Sequence, residues 1–308
     1  MKFTDPLLCI LFSCSLAFAD DAMPGVGQKP IAKEDEAKEK GKDKGTASGE
    51  EEITVLGQRI VRESEIVGSY NQPFWTASRR FPTTRVYVMP AGSVTFEYWV
   101  RADGLLRSGD RARFRNQYEL EFGLGHRLQL DLYLETRQSS GYEPIAIKKE
   151  KIELRWAFAD WGVIPGNPTL YLEWVRASDD PQAIEAKILL GDAISPRLFW
   201  GFNLVYEREL GGESTGEYAA SFGVAYALVD GVVSVGLEGV VELVDVSGSR
   251  FDFVEKNFLV GPSLLVRPIS GVHIDILAMA GAAIEDETEP AYRVFFILGK
   301  HFDTIGLR

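Results

Sequence analysis

Cysteine is nearly absent from this chain. Its 308 residues include two, Cys9 and Cys14, and both fall before Ala17-Phe18-Ala19, an A-x-A cleavage pattern that follows Lys2 and the apolar run Leu7 to Leu16. Residues 1–19 therefore read as a secretory signal, and the mature chain has no thiol for a disulfide or a zinc site. A second reading cleaves before Cys14 and acylates it. Histidine is almost as scarce, at three residues. There is no G-x-S-x-G elbow, no phosphate-binding glycine loop and no dinucleotide fingerprint. His126, His273 and His301 stand in no Ser/His/Asp arrangement. An enzyme is therefore not expected, nor is a cofactor or a resident metal. Beyond the leader no apolar run reaches the roughly 20 residues of a membrane-spanning helix. Basic excess is missing too: 33 Lys and Arg stand against 45 Asp and Glu, a formal net charge of −12. That balance argues against nucleic acid as a partner.

What is present is alternation. Mean hydropathy is −0.06, a value that looks soluble but that a lipid-facing barrel also produces, because only every second residue meets lipid. In residues 112–122, Ala112, Phe114, Tyr118, Leu120 and Phe122 share one face. Arg113, Arg115, Gln117, Glu119 and Glu121 share the other. Leu128, Leu130, Leu132 and Leu134 then alternate with Gln129, Asp131, Tyr133 and Glu135. The same period runs on to Phe302 and predicts twelve strands: 94–102, 111–124, 127–138, 147–160, 168–177, 184–193, 198–211, 216–229, 232–246, 252–267, 272–285 and 290–302. Every second turn is short, except 161–167.

This pattern resembles that of Gram-negative outer-membrane β-barrel proteins of the porin-like kind. An export signal, long strands, aromatics near strand ends (Tyr98, Trp99, Trp156, Trp174, Tyr292) and a last strand closing on Phe302 carry the resemblance. It implies an all-β, closed antiparallel barrel of about 12 strands over residues 93–308. Outer-membrane lipid and the barrel-assembly machinery are then its partners. Alternation alone leaves a soluble lipocalin-like barrel open, with the apolar face turned inward.

If apolar residues face lipid, the charges face inward. Expected lumen-lining residues are Arg111, Arg113, Arg115, Glu119, Glu121, Asp131, Glu135, Glu153, Arg155 and Glu173. The later strands place small residues inward instead, among them Ala219, Ser221, Gly223, Ala225, Ser234 and Gly236. Two functions fit: a narrow channel for small solutes, or a non-conducting barrel that docks periplasmic proteins. A register guess around residue 288 sets Asp275 opposite His301, with His273 beside them.

Residues 20–60 are rich in Lys, Glu and Asp and poor in large apolar side chains, and read as a disordered tether. Within it, residues 51–60 (Glu-Glu-Ile-Thr-Val-Leu-Gly-Gln-Arg-Ile) resemble the TonB-box segment of TonB-dependent receptors. Ile53, Thr54 and Val55 would there add as a strand to a periplasmic partner. An ordinary linker strand is the alternative. No plug domain of that family fits in the residues that remain. Residues 61–92 hold Tyr70, Phe74, Trp75, Arg79, Arg80, Phe81, Arg85 and Tyr87. They are too aromatic for a free tether and read as a lid or plug-like segment, with Arg79 and Arg80 reaching lumen carboxylates.

Overall fold

The computed structural model describes residues 54–55, 58–107, 112–137, 145–212, 214–246, 253–285 and 287–302, the first two pairs as backbone only through residue 59. The leader, most of the tether, Ile53 and Arg111 lie outside them. Twelve strands form one closed barrel. They are β1 Val94–Leu105, β2 Arg113–Gly125, β3 Leu128–Arg137, β4 Ala146–Ala157, β5 Thr169–Ala177 and β6 Ala183–Ser195. Then come β7 Leu198–Glu209, β8 Gly216–Val229, β9 Val233–Asp245, β10 Phe253–Ile269, β11 Val272–Ile284 and β12 Thr288–Phe302. Each pairs antiparallel with the next, and β12 closes on β1 from Phe302↔Val94 to Ala291↔Leu105. Closure leaves no strand edge unpaired, which a lipid environment demands.

Strand number and order match expectation, and some bounds move. β1 continues to Leu105 rather than 102, and β10 to Ile269 rather than 267. β4 ends at Ala157: one further bond, from Phe158 N to the Pro168 carbonyl at 3.1 Å, closes its ladder with β5, and residues 159–167 turn. Four tight connections and the longer one at 158–168 lie at the mouth that carries both barrel termini, here the proximal mouth. In the β2–β3 turn, Gly125, His126 and Arg127 all take left-handed φ of 91°, 52° and 60°, the geometry that keeps a two-residue hairpin in step with strand twist.

Burial decides which face meets what. On β5, Thr169, Tyr171, Glu173 and Val175 are buried, and Glu173 is 3% exposed. Their neighbours Leu172 and Trp174 are 45% and 38% exposed. The same inversion holds on β12, where Phe296 and Leu298 point out and Arg293 is buried. Each large apolar side chain left in water forgoes about 1.5–3 kcal/mol. Ten of them would exceed the whole stability of a typical domain, about 5–15 kcal/mol. The outer band is therefore a lipid surface, and the soluble reading is excluded.

Candidate functional site: the lumen and its inner segment

Residues 60–93 enter the barrel: 60–71 cover its proximal mouth with many residues exposed, and 72–90 are mostly buried in the bore. One short ladder, Ile66–Val67 with Gln72–Pro73, leads into a helical turn at Phe74–Thr76, and the chain then runs back to β1. Hydrogen bonds fix both ends at the proximal mouth. Glu63 N donates to Asp230 Oδ1 at 2.8 Å, and Trp161 N donates to the Tyr70 carbonyl at 2.8 Å. Met89 N donates to Gln129 Oε1 at 2.7 Å.

The segment carries an apolar core inside this half of the bore. Tyr70, Trp75, Phe81, Val86, Tyr87 and Val88 pack with wall residues Ala157, Phe199, Ala225 and Ala227. Trp75 stacks on Phe199 at 4.8 Å and meets Trp161 edge-on at 5.5 Å. The wall makes room with a row of glycines. Gly191, Gly201 and Gly223 are register partners on β6, β7 and β8. A Cβ at Gly223 would sit 2.5 Å from the Phe81 ring, and one at Gly191 would sit 2.4 Å from Val86. The next residue in this row is Glu238, whose carboxylate accepts from Thr83 N at 2.9 Å and Thr83 Oγ1 at 2.7 Å. The small residues expected on these strands thus form a groove for the segment, not an empty wall.

Charges fasten its other side. Arg79 Nε lies 2.7 Å from Glu97 Oε2, and its Nη2 lies 3.1 Å from Glu119. The guanidinium also sits 3.9 Å over the Trp99 ring. Arg85 Nη2 reaches Glu119 at 2.5 Å and Glu121 at 2.6 Å. Burial opposes the Arg85 charge, but Glu121, Glu119 and Glu97 hold its pKa well above the usual value. Arg80 departs from expectation. It pairs with Glu63 of its own segment and donates to Ser234 Oγ at 2.5 Å, on the side of the segment away from the carboxylates of β1 and β2 that Arg79 meets. Glu63 also accepts from Arg267 at 2.7 Å. Burial would raise the Glu63 carboxyl, yet Arg267 and Arg80 hold it below the usual range.

The expected lumen residues fall into two groups. Glu119, Glu121, Asp131, Glu153 and Arg155 are buried at the level of the segment. Arg155 binds Asp131 at 2.7 Å and also Glu153. Arg113, Arg115, Glu135 and Glu173, with Glu119 and Arg155 of the first group, line a cavity of about 530 Å³ that reaches the distal strand ends and is floored by Arg79, Pro82, Thr83 and Arg85. The sequence reading did not single out Arg85, Glu238, Glu63 or Arg267. The only signals were an arginine in Phe81-Pro82-Thr83-Thr84-Arg85 and glycines spaced for register.

The histidine register is corrected. Asp275 stands opposite Ile297, not His301. It bonds within its own strand to His273 Nδ1 at 2.6 Å. The His273 ring lies over Gly299, where a Cβ would sit 1.8 Å from Nε2, and its Nε2 is 3.4 Å from Glu97. His301 Nδ1 meets Thr95 Oγ1 at 2.7 Å. Thr54–Val55 pair with Gln58–Arg59 in a short hairpin.

No family model and no curated protein matches the chain. Among solved structures it is similar to an outer-membrane channel from Pseudomonas putida F1, with a TM-score of 0.50 and 11% identity over 70% of this chain and 98% of that one. The NanC porin gives 0.45 and 9% over 65% and 98%. The translocator domain of the autotransporter NalP from Neisseria meningitidis gives 0.39 and 13% over 68% and 88%. The likeness is one of fold. The chain has the fold of outer-membrane β-barrels, and its outward apolar band sets it in that membrane.

Proposed function

We propose that the chain is a narrow outer-membrane channel for small solutes, held shut by residues 60–93 acting as a plug. The carrying observation is the charged vestibule of about 530 Å³ that ends on that segment. A barrel meant only for docking has no need of a polar cavity reaching its distal mouth. Twelve strands enclose more space than eight, whose interior side chains fill it, and less than the sixteen of open porins. One inserted segment is therefore enough to close the bore. In this reading the proximal mouth faces the periplasm, Arg79 and Arg85 are the latch, and residues 51–60 offer a periplasmic partner a strand by which to draw the plug.

Planar-bilayer recording tests this. The full chain is expected to be nearly silent, and a variant lacking residues 61–90 is expected to conduct steadily. A deletion variant that stays silent while migrating as a folded, heat-modifiable barrel would sink the channel reading. It would leave the docking barrel, which the filled proximal half favours.

A further inference from the structure

The vestibule sorts its charges by wall, and the sorting comes from register. Glu173 on β5, Glu185 on β6, Glu207 on β7 and Glu217 on β8 are successive cross-strand partners, and all four line the cavity. Neighbouring strands lie about 4.8 Å apart, and like charges directly opposite destabilise a sheet. Two of the four are compensated. Lys151 lies 3.1 Å from Glu173 and Lys187 lies 2.7 Å from Glu185. Glu207 and Glu217 have no ion pair among the described residues. Towards the proximal mouth the row continues through Glu153 and Asp131 to Glu121, where the plug's own Arg85 is seated.

The wall across the bore has the opposite excess. Arg101 and Arg113 share Asp103, at 2.7 Å and 3.3 Å, and Arg293 holds Glu242 at 2.5 Å. Arg115 is the register partner of Arg101 and has no ion pair among the described residues. β2 and β8 are six places apart in the ring of twelve, so Arg115 and Glu217 stand on opposite sides. Both lie within the first three residues at the distal ends of their strands.

We propose that the vestibule binds small zwitterionic solutes, with an ammonium at Glu207 and Glu217 and a carboxylate at Arg115 and Arg101. This rests on the channel reading for its role in passage, but the binding stands on the cavity alone. A simple anion is repelled by the glutamate row and a simple cation by the arginines. A solute carrying both signs meets the unpaired Glu207 and Glu217 on one wall and the unpaired Arg115 on the other, and charge-assisted hydrogen bonds are the strong ones.

The test is calorimetric titration of the full chain in detergent with alanyl-alanine, its C-terminal amide and its N-acetyl form. The dipeptide is expected to bind at least roughly tenfold more tightly than either singly charged analogue. Glu207→Gln with Glu217→Gln, and separately Arg115→Gln, are expected to remove that preference while retaining heat-modifiable migration. The first change conserves side-chain volume and relieves like-charge repulsion, and the second removes a charge that no ion pair among the described residues uses, so loss of fold is not the anticipated result. Equal binding of the three probes, binding of none, or tighter binding of a singly charged analogue overturns the proposal. Bilayer recording separates the two readings. A silent deletion variant with intact dipeptide preference removes the channel and keeps the site. A conducting one without preference does the reverse.

Discussion

Arg79 is the residue on which the fastening of the inner segment converges. Its partners Glu97 and Glu119 are fully buried, so removing the guanidinium leaves Arg85 to compensate both carboxylates. Breaking a buried pair in this way costs about 3–5 kcal/mol, against about 0–1 for an exposed pair. Arg79→Met is therefore expected to loosen the segment and admit protease to residues 60–93. Arg107→Met, which removes the exposed pair with Glu289, is expected to change nothing measurable. Glu63 gives a pH dependence with a definite sign. Its folded pKa lies below its ordinary 4.5, so its contribution is fully present above that value and is lost as pH falls through the folded pKa. Trp75 fluorescence is expected to report release of the segment in acid, and Glu63→Gln is expected to be loosened already at neutral pH, with that acid step removed. Of these residues, only Arg79 was singled out from sequence as a carboxylate partner. Arg80 was expected to share the role and pairs with Glu63 instead, because adjacent residues of an extended chain point to opposite sides.

Among the elements, the row Gly191, Gly201 and Gly223 does what three scattered glycines in the sequence could not announce. Register brings them side by side, and the Phe81 ring fills the space that a Cβ at Gly223 would need. Gly223→Val is expected to push Phe81 out and raise bilayer conductance, while Gly212→Ala, in a distal loop, leaves it unchanged. No conductance change in Gly223→Val would show that the segment tolerates the intrusion. The strands themselves were legible. Period-2 alternation placed all twelve, since a one-residue slip exchanges every lipid-facing and lumen-facing side chain. Their ends were less so. Phe158 carries on the alternation of β4 with one last backbone bond, to the Pro168 carbonyl, and alternation does not mark where the ladder then stops.

Over the whole molecule, the barrel's inverted faces can be probed with one substitution on each. Leu172→Arg puts a charge on the lipid side of β5 and is expected to cost about 2–4 kcal/mol in a urea unfolding titration in lipid vesicles. Gln117→Arg, on the vestibule side of β2, is expected to cost nearly nothing. Equal costs would contradict the assigned faces. The amino-acid sequence by itself determined the strand count, the alternation and the aromatic, arginine-rich character of residues 61–92, because these are local properties of spacing and composition. It left open which face meets lipid, since alternation reads the same from either side. Only the tertiary structure decided that, together with which arginine meets which carboxylate, how the glycines align and where the unpaired charges face each other. Each of those is set by strand register and barrel closure, which bring together residues that lie far apart along the chain.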